Sequence, residues 1–174
     1  LPSGSSMSVV GNYHRLTMIG GDISLPIGRF VLRGELASCL NEAQNAEFGN
    51  DVQRRNTWNA LLGIDWYAGN DWSLSAQYAH KRIDGNLTGL SVLRNTGVAT
   101  VRVSKELFRN TLALSSFAYV DVTYGGVFNR FSCKYDLNDQ ISFTAGYDYF
   151  HANAGVFAMY SHNSEVWVKL RYGF

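Results

Sequence analysis

The sequence predicts an all-β fold, an antiparallel transmembrane β-barrel with about 8–10 strands in this chain, and three observations predict it. Apolar and polar residues alternate in segments spread along the whole chain, the pattern of strands with two unlike faces. Most segments have about 10–13 residues, which suits a tilted strand crossing a hydrocarbon layer better than the shorter strands of soluble sheets. Aromatic residues make up 14% of the chain and gather towards segment ends, where rings with a polar tip favour the headgroup level.

Nine strands are expected, over 15–25, 30–40, 56–68, 72–83, 96–106, 111–123, 127–136, 140–151 and 164–174. In the fourth, Trp72, Leu74, Ala76 and Tyr78 take one face, and Ser73, Ser75, Gln77 and Lys81 the other. The eighth sets Ile141, Phe143, Ala145, Tyr147 and Tyr149 against Ser142, Thr144, Gly146 and Asp148. A soluble β-sandwich also alternates, because one face of each sheet covers a core. The connections favour the barrel: tight turns at 26–29, 69–71, 108–110 and 136–139 alternate with longer polar stretches at 41–55, 84–95 and 152–163. Bacterial barrels alternate periplasmic turns and external loops in this way. Gly125-Gly126 is an exception, a short connection in a loop position.

The aromatics divide accordingly. Phe30, Trp66, Trp72, Phe108, Tyr135, Phe143, Tyr172 and Phe174 fall near the tight-turn ends, and Trp58, Tyr78, Tyr124, Tyr147 and Tyr149 towards the loop ends. Two aromatic girdles are what a membrane barrel presents.

Composition excludes other classes. Charged residues are 17% of the chain, against about a quarter in soluble domains. A net charge of +1 gives no basic field for nucleic acid. No apolar run is long enough for a transmembrane helix, and two cysteines are too few for a disulfide framework.

Counting back from a last strand that ends on the tight-turn side, the first strand starts on the loop side. A single-chain bacterial barrel normally has an even strand number and both ends in the periplasm. Three readings remain open: a further strand within 1–14, although Leu1-Pro2-Ser3-Gly4-Ser5-Ser6 reads as a loop; an overcount at the Gly125-Gly126 hairpin; or a carboxy-terminal part of a larger barrel with missing N-terminal barrel strands. The third is the favoured expectation, so 1–174 is read as one barrel domain or barrel fragment.

Candidate functional residues emerge from parity. Arg33, Glu35, Asp65, Lys81, Arg102, Asp121, Arg130, Lys134, Asp148, Lys169 and Arg171 take the lumen-facing parity. They would line a water-filled pore in a wide barrel, or pair with each other in a small filled one. His14, His80, His151 and His162 form no set with metal-ligand spacing, so no metal or other cofactor is expected. His162, Ser164 and Asp148 could be assembled into a rim-sited hydrolase, but no nucleophile elbow singles them out, and no catalytic residue is assigned. Cys39 takes the lumen parity and Cys133 the outward one, so two free thiols are expected. Asn86-Leu87-Thr88 has the form of a glycosylation acceptor, without force in a bacterial loop.

The ending Glu165-Val166-Trp167-Val168-Lys169-Leu170-Arg171-Tyr172-Gly173-Phe174 resembles the carboxy-terminal assembly signal of Gram-negative outer-membrane proteins. Val166, Val168, Leu170, Tyr172 and Phe174 fill its alternating apolar and aromatic places. The resemblance implies insertion by the barrel assembly machinery into outer-membrane lipid. A broader likeness of style links Met18-Ile19-Gly20-Gly21-Asp22, Phe30-Val31-Leu32-Arg33-Gly34-Glu35 and the stretch 111–174 to the later strands of large uncharacterised porin-like barrels. That likeness implies a porin-like or export channel for solutes. The alternatives are a small closed structural or adhesive barrel binding partners through its outer loops, and a rim-sited lipid hydrolase or protease.

Overall fold

The computed structural model describes residues 13–174. They form one nine-stranded sheet in which every strand pairs with its neighbour in sequence, antiparallel throughout. The strands are β1 (Thr17–Ile27), β2 (Phe30–Gln44), β3 (Gln53–Gly69), β4 (Trp72–Ile83), β5 (Asn95–Leu107), β6 (Leu112–Asp121), β7 (Gly126–Asp136), β8 (Ile141–His151) and β9 (Glu165–Tyr172). A single 3-10 turn, Ala158–Tyr160, interrupts the last loop. The outer edges of β1 and β9 are not paired with each other, so the sheet is open.

All nine expected strands are present, and the largest differences at their limits fall between the second and the third. The 41–55 stretch, read as a loop, is nearly half strand: β2 runs on to Gln44, β3 begins at Gln53, and 45–52 connect them. The cause is a β-bulge between Cys39 and Glu42, where Asn41 takes a φ of 61°. A bulge inserts one residue and reverses the facing of the residues beyond it, so the alternation is lost to a sequence reading although pairing continues. The 125–126 hairpin is a true connection. Asp121 Oδ1 accepts hydrogen bonds from the amides of Thr123 (3.0 Å) and Tyr124 (3.1 Å), which fixes the turn. The reading of Leu1–Ser6 as a loop lies outside the described residues.

The tight turns at 26–29, 69–71 and 108–110 use left-handed backbone, a conformation that short hairpin loops favour. Asn70 and Asp71 have φ of 49° and 60°, a conformation their short polar side chains tolerate. Phe108, Arg109 and Asn110 do the same at 54°, 54° and 69°, and the first two carry a steric cost there.

The sheet has no second layer. Among the described residues only Cys39, Ile83, Leu90 and Ala152 are buried apolar residues, while Ile19, Leu36, Leu62, Val168 and many others lie more than half exposed. Every extensive backbone approach between strands is between sheet neighbours. A sandwich would bury one face of each sheet against another, and that expectation finds no counterpart here.

Register sorts the residues onto two faces. One carries Ile23, Leu25, Leu32, Leu36, Leu62, Ile64, Leu74, Val101, Val103, Leu114, Phe131, Tyr147, Val166 and Val168, in mutually opposed positions across all nine strands. The charged strand residues on this face are Arg54, Arg82 and Lys105, all close to strand ends. On β3 it is bounded by Trp58 and Trp66, which at ~3.3 Å per residue stand roughly 26 Å apart along the strand. Phe30 stacks on Trp66 with ring centres 5.8 Å apart.

The strands are staggered. The pairing row that starts at Phe30, the first residue of β2, passes through Trp66, Leu74, Val103, Ser116, Phe131 and Tyr147. It arrives at Val166, six positions before the end of β9 at Tyr172. That is close to one residue of offset per strand, which with a rise of ~3.3 Å and a strand spacing of ~4.8 Å means a tilt of about 30–35°.

Candidate functional site

The opposite face is polar, and it is where the chemistry lies. Arg33, Glu35, Asp65, Lys81, Arg102, Asp121, Arg130, Lys134, Asp148, Lys169 and Arg171 all share it. The structure does not gather them into one cluster; it distributes them in rows. One row runs Asp65, Ser75, Arg102, Phe117, Arg130, Asp148 and Glu165 across β3 to β9. The next, towards the tight turns, runs Ser73, Ser104, Ser115, Ser132, Gly146 and Trp167.

Several charges are held in local pairs. Arg33 Nη2 donates to Asp65 Oδ1 at 2.8 Å. Lys81 Nζ donates to Glu42 at 2.7 Å, and Thr57 donates to the other oxygen of that carboxylate. Arg130 engages both oxygens of Asp148, through Nε at 2.8 Å and through Nη2, and the Trp167 indole N–H adds a third bond at 3.1 Å. Lys134 reaches Asp136 at 2.8 Å. Among the described residues Glu35, Arg102, Lys169 and Arg171 have no ion-pair partner.

Sequence reasoning missed Glu42, because the bulge at Asn41 turns it onto the polar face against the expected parity. It also missed an aromatic group on that face. Tyr119, Phe128 and Phe150 lie on it at the loop end, and Phe157 from the β8–β9 loop packs on them, with ring centres 5.1 Å from Tyr119 and 6.3 Å from Phe128. Phe150 lies 4.7 Å from Phe128 and 5.8 Å from Tyr160. The loop is thereby folded over the polar face instead of standing clear of the sheet, a placement that no periodicity in residues 152–163 signals.

Other readings can be set beside their geometry. Cys39 and Cys133 are free and lie on opposite faces, as parity required. His80 stands on the apolar face, its Nδ1 3.1 Å from the Tyr78 hydroxyl. His151 stacks beside Tyr149 at 6.4 Å. No group of three His, Cys, Asp or Glu with metal-holding geometry occurs among the described residues. Asp148 is committed to Arg130 and Trp167, and Ser164 Oγ accepts the Phe150 amide at 3.2 Å.

Compared with protein-family models, curated proteins and solved structures, the chain matches none.

Proposed function

We propose that the chain is part of the wall of a Gram-negative outer-membrane β-barrel, and that this barrel passes solutes across the membrane through a water-filled lumen. The observation that carries the reading is the division of the sheet. An apolar face without a covering layer has charge only near strand ends, and its reverse holds the other strand charges. Lipid is the solvent that makes such a face favourable, since a contiguous apolar surface of this extent in water would drive association.

The stagger adds to the case, because closing a barrel requires a tilt of the kind this register gives. So does the reach of the side chains on the polar face: a small closed barrel fills its interior with side chains that meet across it, and here the longest reaches, Lys81 of β4 to Glu42 of β2 and Arg130 of β7 to Trp167 of β9, stay within three consecutive strands. A wide lumen is the better fit. β1 and β9 run in the same direction, so a wholly antiparallel barrel closes only through an odd number of further strands. We assign that role to further strands of the same barrel. Val166, Val168, Leu170, Tyr172 and Phe174 would serve as the signal read by the assembly machinery.

Single-channel recording from the full-length protein in planar bilayers tests the proposal. Stepwise, ohmic conductance is the expected result. A protein that inserts and carries no current would remove the channel and leave a structural or adhesive barrel.

A further inference from the structure

We infer that the polar face holds a binding site for a small hydroxylated carboxylate, such as a sugar acid, between Arg33 of β2 and Arg102 of β5. The inference rests on reading that face as a solute path. A cavity of about 500 Å³ opens there, with Arg33, Asp65, Ser75, Thr100, Arg102 and Phe117 in its lining.

Two guanidinium groups face one carboxylate in this cavity, which leaves a surplus of positive charge. Arg33 lies across Gly63, where a side chain would sit 3.6 Å from its Nε. Its Nη2 is satisfied by Asp65 at 2.8 Å, but its Nε–H is buried and has no acceptor among the described residues. A buried donor without a partner carries a desolvation penalty, which a small swing of the guanidinium onto an arriving oxyanion relieves. Arg102, exposed and opposite Ser75 and Phe117, has no ion-pair partner among the described residues. Its planar fork suits a carboxylate in two-point contact.

The rest of the lining selects among carboxylates. Ser73 and Ser104 share a hydrogen bond at 2.6 Å beside the cavity, while Ser75 and Thr100 on the same face bring hydroxyls that both donate and accept. These suit a solute with hydroxyl groups of its own. The Phe117 ring offers an apolar surface to the C–H face of such a molecule. The open setting keeps binding weak, as passage requires, since a path must release what it takes up.

Saturation-transfer NMR on the full-length protein in detergent tests the site without relying on conductance. Sodium gluconate should receive saturation, the neutral polyol sorbitol far less, and Arg102→Gln should weaken gluconate binding roughly tenfold. Lys105→Gln removes the same charge from the opposite face of β5 and should leave binding unchanged. Equal gluconate signals in the Arg102→Gln and native proteins, or equal signals from sorbitol and gluconate, would overturn the site. Gluconate binding by a protein that inserts but carries no current would keep the site and refute the passage reading on which its role depends.

Discussion

Arg130 and Asp148 face each other across β7 and β8 with both carboxylate oxygens engaged, and the Trp167 indole on β9 closes the group from the far side. Three adjacent strands are thus tied on the polar face. The Asp148 side chain is only 3% exposed while that of Arg130 is 52% exposed, so the carboxylate is the member that depends most on its partners. Asp148→Asn keeps the shape and removes the charge. It should cost about 1–3 kcal/mol, read as a lower midpoint of urea unfolding.

Gly146 and Trp167 form a second dependence. The indole sits against Gly146, and a Cβ there would collide with it and with the Phe131 carbonyl. Gly146→Ala should therefore destabilise the protein by about 1–3 kcal/mol. Combining it with Trp167→Ala should recover part of that loss in a double-mutant cycle, the remainder being the clash with the backbone. Additive effects would show that the two positions do not meet.

Charge should be tolerated on one face and not on the other. Leu62 lies midway between Trp58 and Trp66 on the apolar face, and Gln77 lies on the polar face of β4. Leu62→Arg should lower stability in lipid vesicles by about 2–4 kcal/mol, the cost of a cation near the bilayer midplane. Gln77→Arg should change stability little, because that face is assigned to water.

The thiols should report the same geometry. Cys133 on the apolar face should react with a lipid-soluble maleimide and resist a charged one in the bilayer-inserted protein, whereas buried Cys39 should react with neither until unfolding. A Cys39–Cys133 disulfide in the folded protein would contradict the facing of β2 or β7.

Much of the fold was legible because a strand with two unlike faces writes a period of two. β4 and β8 could be read residue by residue for that reason, and their pairings come from short connections in a simple meander. The features that stayed hidden depend on events that periodicity does not record. The bulge at Asn41 reverses parity for only a few residues before the strand ends, so Glu42 was lost and 41–55 looked like loop. Phe157 reaches Tyr119, Phe128 and Phe150 through a long-range contact between a loop and a face. Pairing partners among the charges were hidden too: the parity of Arg33 and Arg102 assigns them one face, but only the register shows which has a carboxylate within reach.

The claim on which the rest depends is that the apolar face meets lipid and the polar face meets water. Cysteine scanning from Trp58 to Trp66 in the outer membrane of intact cells, on a Cys-free background, tests it most directly. A charged, membrane-impermeant thiol reagent should label 59, 61, 63 and 65 and spare 60, 62 and 64, the alternation fixed by the β2–β3–β4 register. Labelling at every position, or protection of the odd series with the even one exposed, would contradict this division of the faces.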